Sequence, residues 1–114
     1  MPRKRLLTEF GFGSSLRRQD YTQAAMRGVE NALWHNSINL AELFGREKSD
    51  MLIDVDVAVA APDQVDVDKV ARVFPYGQVS VHVSKGGLDI PRQDGGKPTV
   101  MANIAISVSF EMEG

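Results

Sequence analysis

The chain has 114 residues, 43% hydrophobic and 25% charged, with 13 basic and 15 acidic side chains and a net charge of −2. That is the usage of one globular domain spanning 1–114, and it excludes fibrous and wholly disordered chains. No run nears the roughly 20 apolar residues of a spanning helix, so no membrane partner is expected. With no cysteine and no secretory pattern after Arg3-Lys4-Arg5, the expectation is a cytoplasmic protein without disulfides or thiolate chemistry.

Residues 5–11 read as a first strand, with Leu6, Thr8 and Phe10 on one face and Leu7 and Glu9 on the other. The glycines and serines of 11–15 predict a turn. Asp20, with Gln23 three positions on, has the pattern of a capping box and starts a helix over 21–35. Its inward stripe is Tyr21, Ala24, Ala25, Gly28, Val29 and Ala32, small enough to bring the helix backbone close to a sheet. Asn36-Ser37 ends the helix, and Asn39 with Glu42 starts a short second turn closed by Gly45.

Residues 51–60 alternate Met51, Ile53, Val55, Val57 and Val59 against Asp54 and Asp56, which predicts a strand. A short helix is expected over 66–73, with Val67, Val70, Ala71 and Phe74 inward. Residues 78–85 form a third strand, Val79, Val81 and Val83 facing away from Ser80, His82 and Ser84. The glycines and prolines of 86–98 predict a loop, and 99–110 a last strand.

The order is β-α-β-α-β-β: an α+β fold with one sheet and helices on one face. The first crossovers are parallel, and the last two strands are expected to pair antiparallel. The uncovered face is predicted to be polar, carrying Glu9, Asp54, Asp56, Ser80, His82, Ser84, Asn103, Ser107 and Ser109. Small serines and an asparagine on such a face suit self-association better than solvent.

This element order resembles the Bacillus-type chorismate mutase fold shared by the reactive-intermediate deaminases. That resemblance implies a homotrimer with sheets inward, helices outside and ligand clefts between subunits. Gly11-x-Gly13-x-Ser15-x-Arg17-Arg18-Gln19-Asp20, with Thr22, Ala24, Ala25, Arg27 and Asn36-Ser37, is similar to a functionally uncharacterised bacterial and plant family. The similarity extends through Pro62-x-x-Val65-Asp66 and Gly86-Gly87-Leu88. That family carries Gly-x-Gly-x-Asp-x-His-Gly near its N-terminus; here Ser15 replaces the Asp, Arg17 the His and Arg18 the Gly. Ser84-Lys85-Gly86-Gly87 is loosely similar to the Ser-Gly-Gly turns of ring-opening cyclic-amide hydrolases, which implies an amidohydrolase as an alternative.

The segment from Gly11 and Gly13 through Arg17, Arg18 and Gln19 to Asp20 leads from a strand end to a helix N-terminus. There, free N–H groups and guanidinium forks suit a small anionic ligand. Leu16 occupies the place of a third glycine, so this is no dinucleotide fingerprint. The candidate titrating and catalytic groups are Lys85, Ser84 and His82, although Ser84 and Lys85 are strand neighbours and point to opposite faces. Asp54, Asp56 and His82 share a face, where solvation or pairing with arginine is expected and no metal set is assigned. His35 suits the helix C-terminus and Trp34 a packing role. No cofactor is implied.

Residues 1–30 hold six basic groups and residues 50–68 six aspartates with no basic group. The basic groups form two short clusters rather than a stripe interleaved with aromatics, so no nucleic-acid partner is expected. Two functional classes remain: a protein that binds or transforms a small anionic molecule, and a non-catalytic structural or regulatory module.

Overall fold

Period-2 runs of β-branched residues build a single sheet, and the computed structural model describes it over residues 3–35 and 48–111. The elements are β1 (Arg3–Ser15), α1 (Tyr21–His35), β2 (Leu52–Val59), α2 (Val67–Ala71), β3 (Gln78–Lys85), β4 (Leu88–Ile90) and β5 (Thr99–Glu111). Single 3-10 turns occupy Lys48–Asp50 and Pro62–Gln64. The turn expected over 39–45 lies outside the described residues. No described helix is long and apolar enough to cross a membrane.

The sheet runs β1-β5-β2-β3, with β4 beside the start of β5. β2 and β3 are parallel, whereas β5 is antiparallel to β1, β2 and β4. The expected pairing of the last two long strands is therefore corrected: β5 inserts between β1 and β2, and β3 is left at an edge. β5 is the apolar strand able to satisfy two neighbours at once, and its buried Val100, Ala102, Ile104, Ile106 and Val108 form the centre of the core.

Both helices cover the same face. Ala24, Ala25, Val29 and Ala32 of α1 join Val70 of α2, Phe74 and the inward valines of β2 in one buried cluster. Burial of each Val or Ile contributes about 1.5–3 kcal/mol. α2 ends earlier than expected, after Ala71, and Val67, expected inward, lies 41% exposed in the first turn after the Asp66 cap. The Asp66 carboxylate accepts the Asp68 and Lys69 backbone N–H groups.

β1 departs most from the sequence reading. It extends through 11–15 as a strand, and a bulge between Arg5 and Leu7 shifts its register. Beyond the bulge, Leu7, Glu9, Gly11, Gly13 and Ser15 lie opposite Val108, Ile106, Ile104, Ala102 and Val100 and so face the helices. Thr8, Phe10, Phe12 and Ser14 face the open side. A one-residue slip exchanges the two faces of a strand, which is why Glu9 and Phe10 sit opposite to expectation. Gly11 and Gly13 are selected for the helix side because a Cβ there would strike α1 main chain, 2.5 Å from the Gly28 oxygen and 2.2 Å from the Gly28 nitrogen respectively.

The predicted loop over 86–98 contains β4, paired to β5 at Leu88–Met101, Asp89–Val100 and Ile90–Thr99. Three residues bracketed by glycines and proline are too few for periodicity to reveal.

Candidate functional site

At the end of β1 the chain bends through 16–20 into α1. The Asp20 carboxylate accepts the Gln23 N–H at 2.9 Å, as a capping residue should. The reciprocal bond of a capping box is missing; instead the buried Ser15 hydroxyl accepts the Asp20 N–H at 3.3 Å. Gln19 adopts a left-handed φ of 51°, a conformation that costs free energy for a residue with a side chain. Its amide donates to the Tyr21 hydroxyl at 3.3 Å, and Tyr21, fully buried, donates to Asp89 Oδ2 at 2.5 Å. Asp89 and burial together hold the Tyr21 hydroxyl above its usual pKa, since both disfavour a second negative charge. Asp89 Oδ1 is buried and lacks a partner among the described residues. β4 thus supplies a carboxylate to the start of α1.

Sequence reasoning missed this chain because Tyr21 fits the apolar stripe and Asp89 fell within a presumed loop. The alternation of Leu88, Asp89 and Ile90 is too short a run to have signalled it.

The open face of the sheet divides into two ends. At one end Arg3 pairs with Asp54, whose other oxygen lies 3.5 Å from His82 Nε2. Arg3, Arg5, Asp54 and Ser109 line a shallow depression of about 380 Å³ there. The pairing of Asp54 with an arginine agrees with the sequence reading. Thr8 and Ser107 meet hydroxyl to hydroxyl at 3.3 Å in the adjoining row. Among the described residues no three His, Asp or Glu side chains gather closely enough to hold a metal ion.

The other end is apolar. Phe10 is 72% exposed, Phe12 62%, Leu88 51% and Ile90 52%. All lie on the open side, Phe10 beside Ala105, Phe12 beside Asn103, Leu88 beside Met101 and Ile90 beside Thr99 of β5. A cleft of about 410 Å³ follows the β1 margin between Phe10, Phe12, Asn31 and Asn103. The face is therefore less polar than its serines suggest.

The predicted anion-site residues are only partly assembled. Gly11 and Gly13 lie beneath α1 and present nothing to a ligand. Arg17 and Arg18 are exposed on the bend beside Gln19 and Asp20, with no hydrogen bond or ion pair among the described residues. His82 and Ser84 share the open side of β3, while Lys85 points to the opposite side, opposite Val59. No dyad of Ser84 and Lys85 forms within one subunit. The Trp34 and His35 side chains fall outside the described residues.

One mixed sheet, with both described helices on one side and no described element over the other, defines a small α+β protein. Residues 5–108 match the model of the Lin0512 family, described as conserved hypothetical proteins, and the chain belongs to that family. It is also similar to an FtsZ-like protein of unknown function from Nostoc punctiforme PCC 73102, known from a crystal structure at 1.22 Å resolution. The two share 34% identity and a TM-score of 0.89, over 98% of this chain and 99% of that one. No curated protein matches the chain.

Proposed function

We propose that the protein is a self-associating cytoplasmic protein whose copies pack through their open sheet faces as a homotrimer. In this reading a small polar or anionic molecule binds at the subunit boundary, beside Arg17 and Arg18. The observation that carries the reading is the exposure of Phe10, Phe12, Leu88 and Ile90 on one side of the sheet. Large apolar patches on soluble proteins mark interaction surfaces. The opposite end of the same face carries Arg3, Arg5 and the carboxylate of Asp54, so two copies present each other with charges of both signs there. The resemblance of the element order to chorismate mutase and deaminase trimers supports the same arrangement, since there the sheets face inward.

Light scattering tests it. The mass should be three times 12.5 kDa, or a multiple of that trimer. Phe12→Asp should lower it threefold with an unchanged circular dichroism spectrum. A parent protein that runs as a monomer at micromolar concentration overturns the reading.

A non-catalytic interaction module is the second reading. It is favoured by Asp54, which pairs with Arg3 and lies 3.5 Å from His82 rather than standing free for chemistry.

A further inference from the structure

The two edges of the sheet differ. At the C-terminal end of the β1 edge, α1 side chains occupy two outward main-chain groups: Asn31 Oδ1 accepts the Phe12 N–H at 3.2 Å, and Arg27 donates to the Ser14 carbonyl at 2.7 Å. Such blocking is a common way of keeping an edge from pairing.

Among the described residues the β3 edge has no such cover. The Gln78 N–H donates to the Met51 carbonyl and the Gly86 N–H to that of Val59, so the even-numbered residues bond inward to β2. By strand alternation the N–H and C=O groups of Val79, Val81, Val83 and Lys85 point outward. None of these residues makes a further hydrogen bond among the described residues. The three valines are also only half-buried, because the five-residue α2 is too short to cover them.

We propose that β3 is a second interaction surface, and that its partner is β3 of another copy, paired antiparallel about a twofold axis. With the Phe12–Ser14 end of β1 occupied by α1 side chains, a full-length head-to-tail pairing of β1 with β3 would have to displace them. A twofold pair instead matches like with like. Continuity of the two sheets requires residues of equal parity to lie opposite, or the valines would turn to the wrong face. The register with Val81 opposite its own copy places Val79 opposite Val83 and buries all three valines. It sets His82 beside the partner's Ser80 and sends the two Lys85 side chains to opposite ends of the ribbon. The next register in one direction would bring His82 against its copy and Lys85 against Val79. This contact does not use the open face and does not depend on trimer formation.

The absence of native cysteine makes the test direct. Directly opposed residues that exchange both hydrogen bonds have Cα atoms about 5.5 Å apart, within disulfide reach. Val81→Cys should therefore give a covalent dimer under mild oxidation, in the parent background and equally in Phe12→Asp. Val81→Pro removes an outward N–H and no bond to β2, so the fold should persist while the native mass falls by half. If Val81→Cys stays uncrosslinked, or if a folded Val81→Pro keeps the parent mass, the β3 pairing is wrong whatever the open face does. Should Val81→Pro fail to fold, the crosslinking result alone decides.

Discussion

A Cβ on Gly13 would stand 2.2 Å from the Gly28 nitrogen and 2.3 Å from the Ala24 carbonyl oxygen, so α1 rests on the backbone of β1. No flexible side chain can yield there. Overpacking a core usually costs about 1–3 kcal/mol, and displacement of main chain belongs at or beyond the top of that range. Gly13→Ala should lose at least that much stability in urea titration, and Gly11→Ala should behave alike. Wild-type midpoints for both would show that the helix can lift off the strand freely.

Tyr21 and Asp89 tie the helix start to β4. Tyr21→Phe removes the donor and leaves both Asp89 oxygens without a partner among the described residues, at a cost of about 1–3 kcal/mol. The pH dependence has a definite sign. A hydroxyl whose pKa is raised in the folded state gives stability that is complete below its unfolded value of 10.0 and is lost as pH rises through the folded value. Parent protein should lose stability above about pH 10, and Tyr21→Phe should lack that component of the loss. Parallel alkaline denaturation curves for the two would contradict the assignment.

Asp20 and Ser15 share the capping of α1. Asp20→Ala should cost about 1 kcal/mol, as loss of a helix cap does. Ser15→Ala leaves the Asp20 N–H without its acceptor and should cost about 1–3 kcal/mol. Thermal melts of both variants separate them from Gln23→Ala, whose backbone N–H, not its side chain, receives the cap.

Arg17 and Arg18 are exposed and unpaired among the described residues, so their joint replacement by alanine should change folding by no more than about 0.5 kcal/mol. If they hold an anion at a subunit boundary, the same variant should lose any rise in melting temperature produced by phosphate or carboxylates, because only ligand bound to the native state raises it. An undiminished response would move the site elsewhere.

The sequence made α1, β2, β3 and β5 legible because each repeats its apolar residues at one period over eight or more positions. The small inward stripe of α1 was legible for the same reason, and Gly28 indeed meets the Ile104 side chain. β1 was not, since its glycines resemble a turn when read locally and act as packing positions only once α1 lies above them. The bulge between Arg5 and Leu7 then exchanged the faces, hiding Phe10 and Phe12 as exposed residues. Strand order was equally hidden: nothing local to β5 says that it enters between β1 and β2. Of the site, Asp20, Arg17 and Arg18 were visible as chemistry, whereas the Gln19–Tyr21–Asp89 chain joins residues 68 positions apart in sequence.

The insertion of β5 between β1 and β2 has a consequence for synthesis. On a ribosome, its long neighbours β1 and β2 emerge well before it does, and each exposes an unsatisfied margin and an apolar surface until it arrives. Every residue of the core before position 99 must wait for a strand whose last turnover of the decoding centre comes at position 111. Non-local closure of this kind is slow, and growing chains with open margins are prone to stick to one another. The chain is thus committed to its fold only once residue 111 has emerged, when a single late strand closes the sheet from the middle.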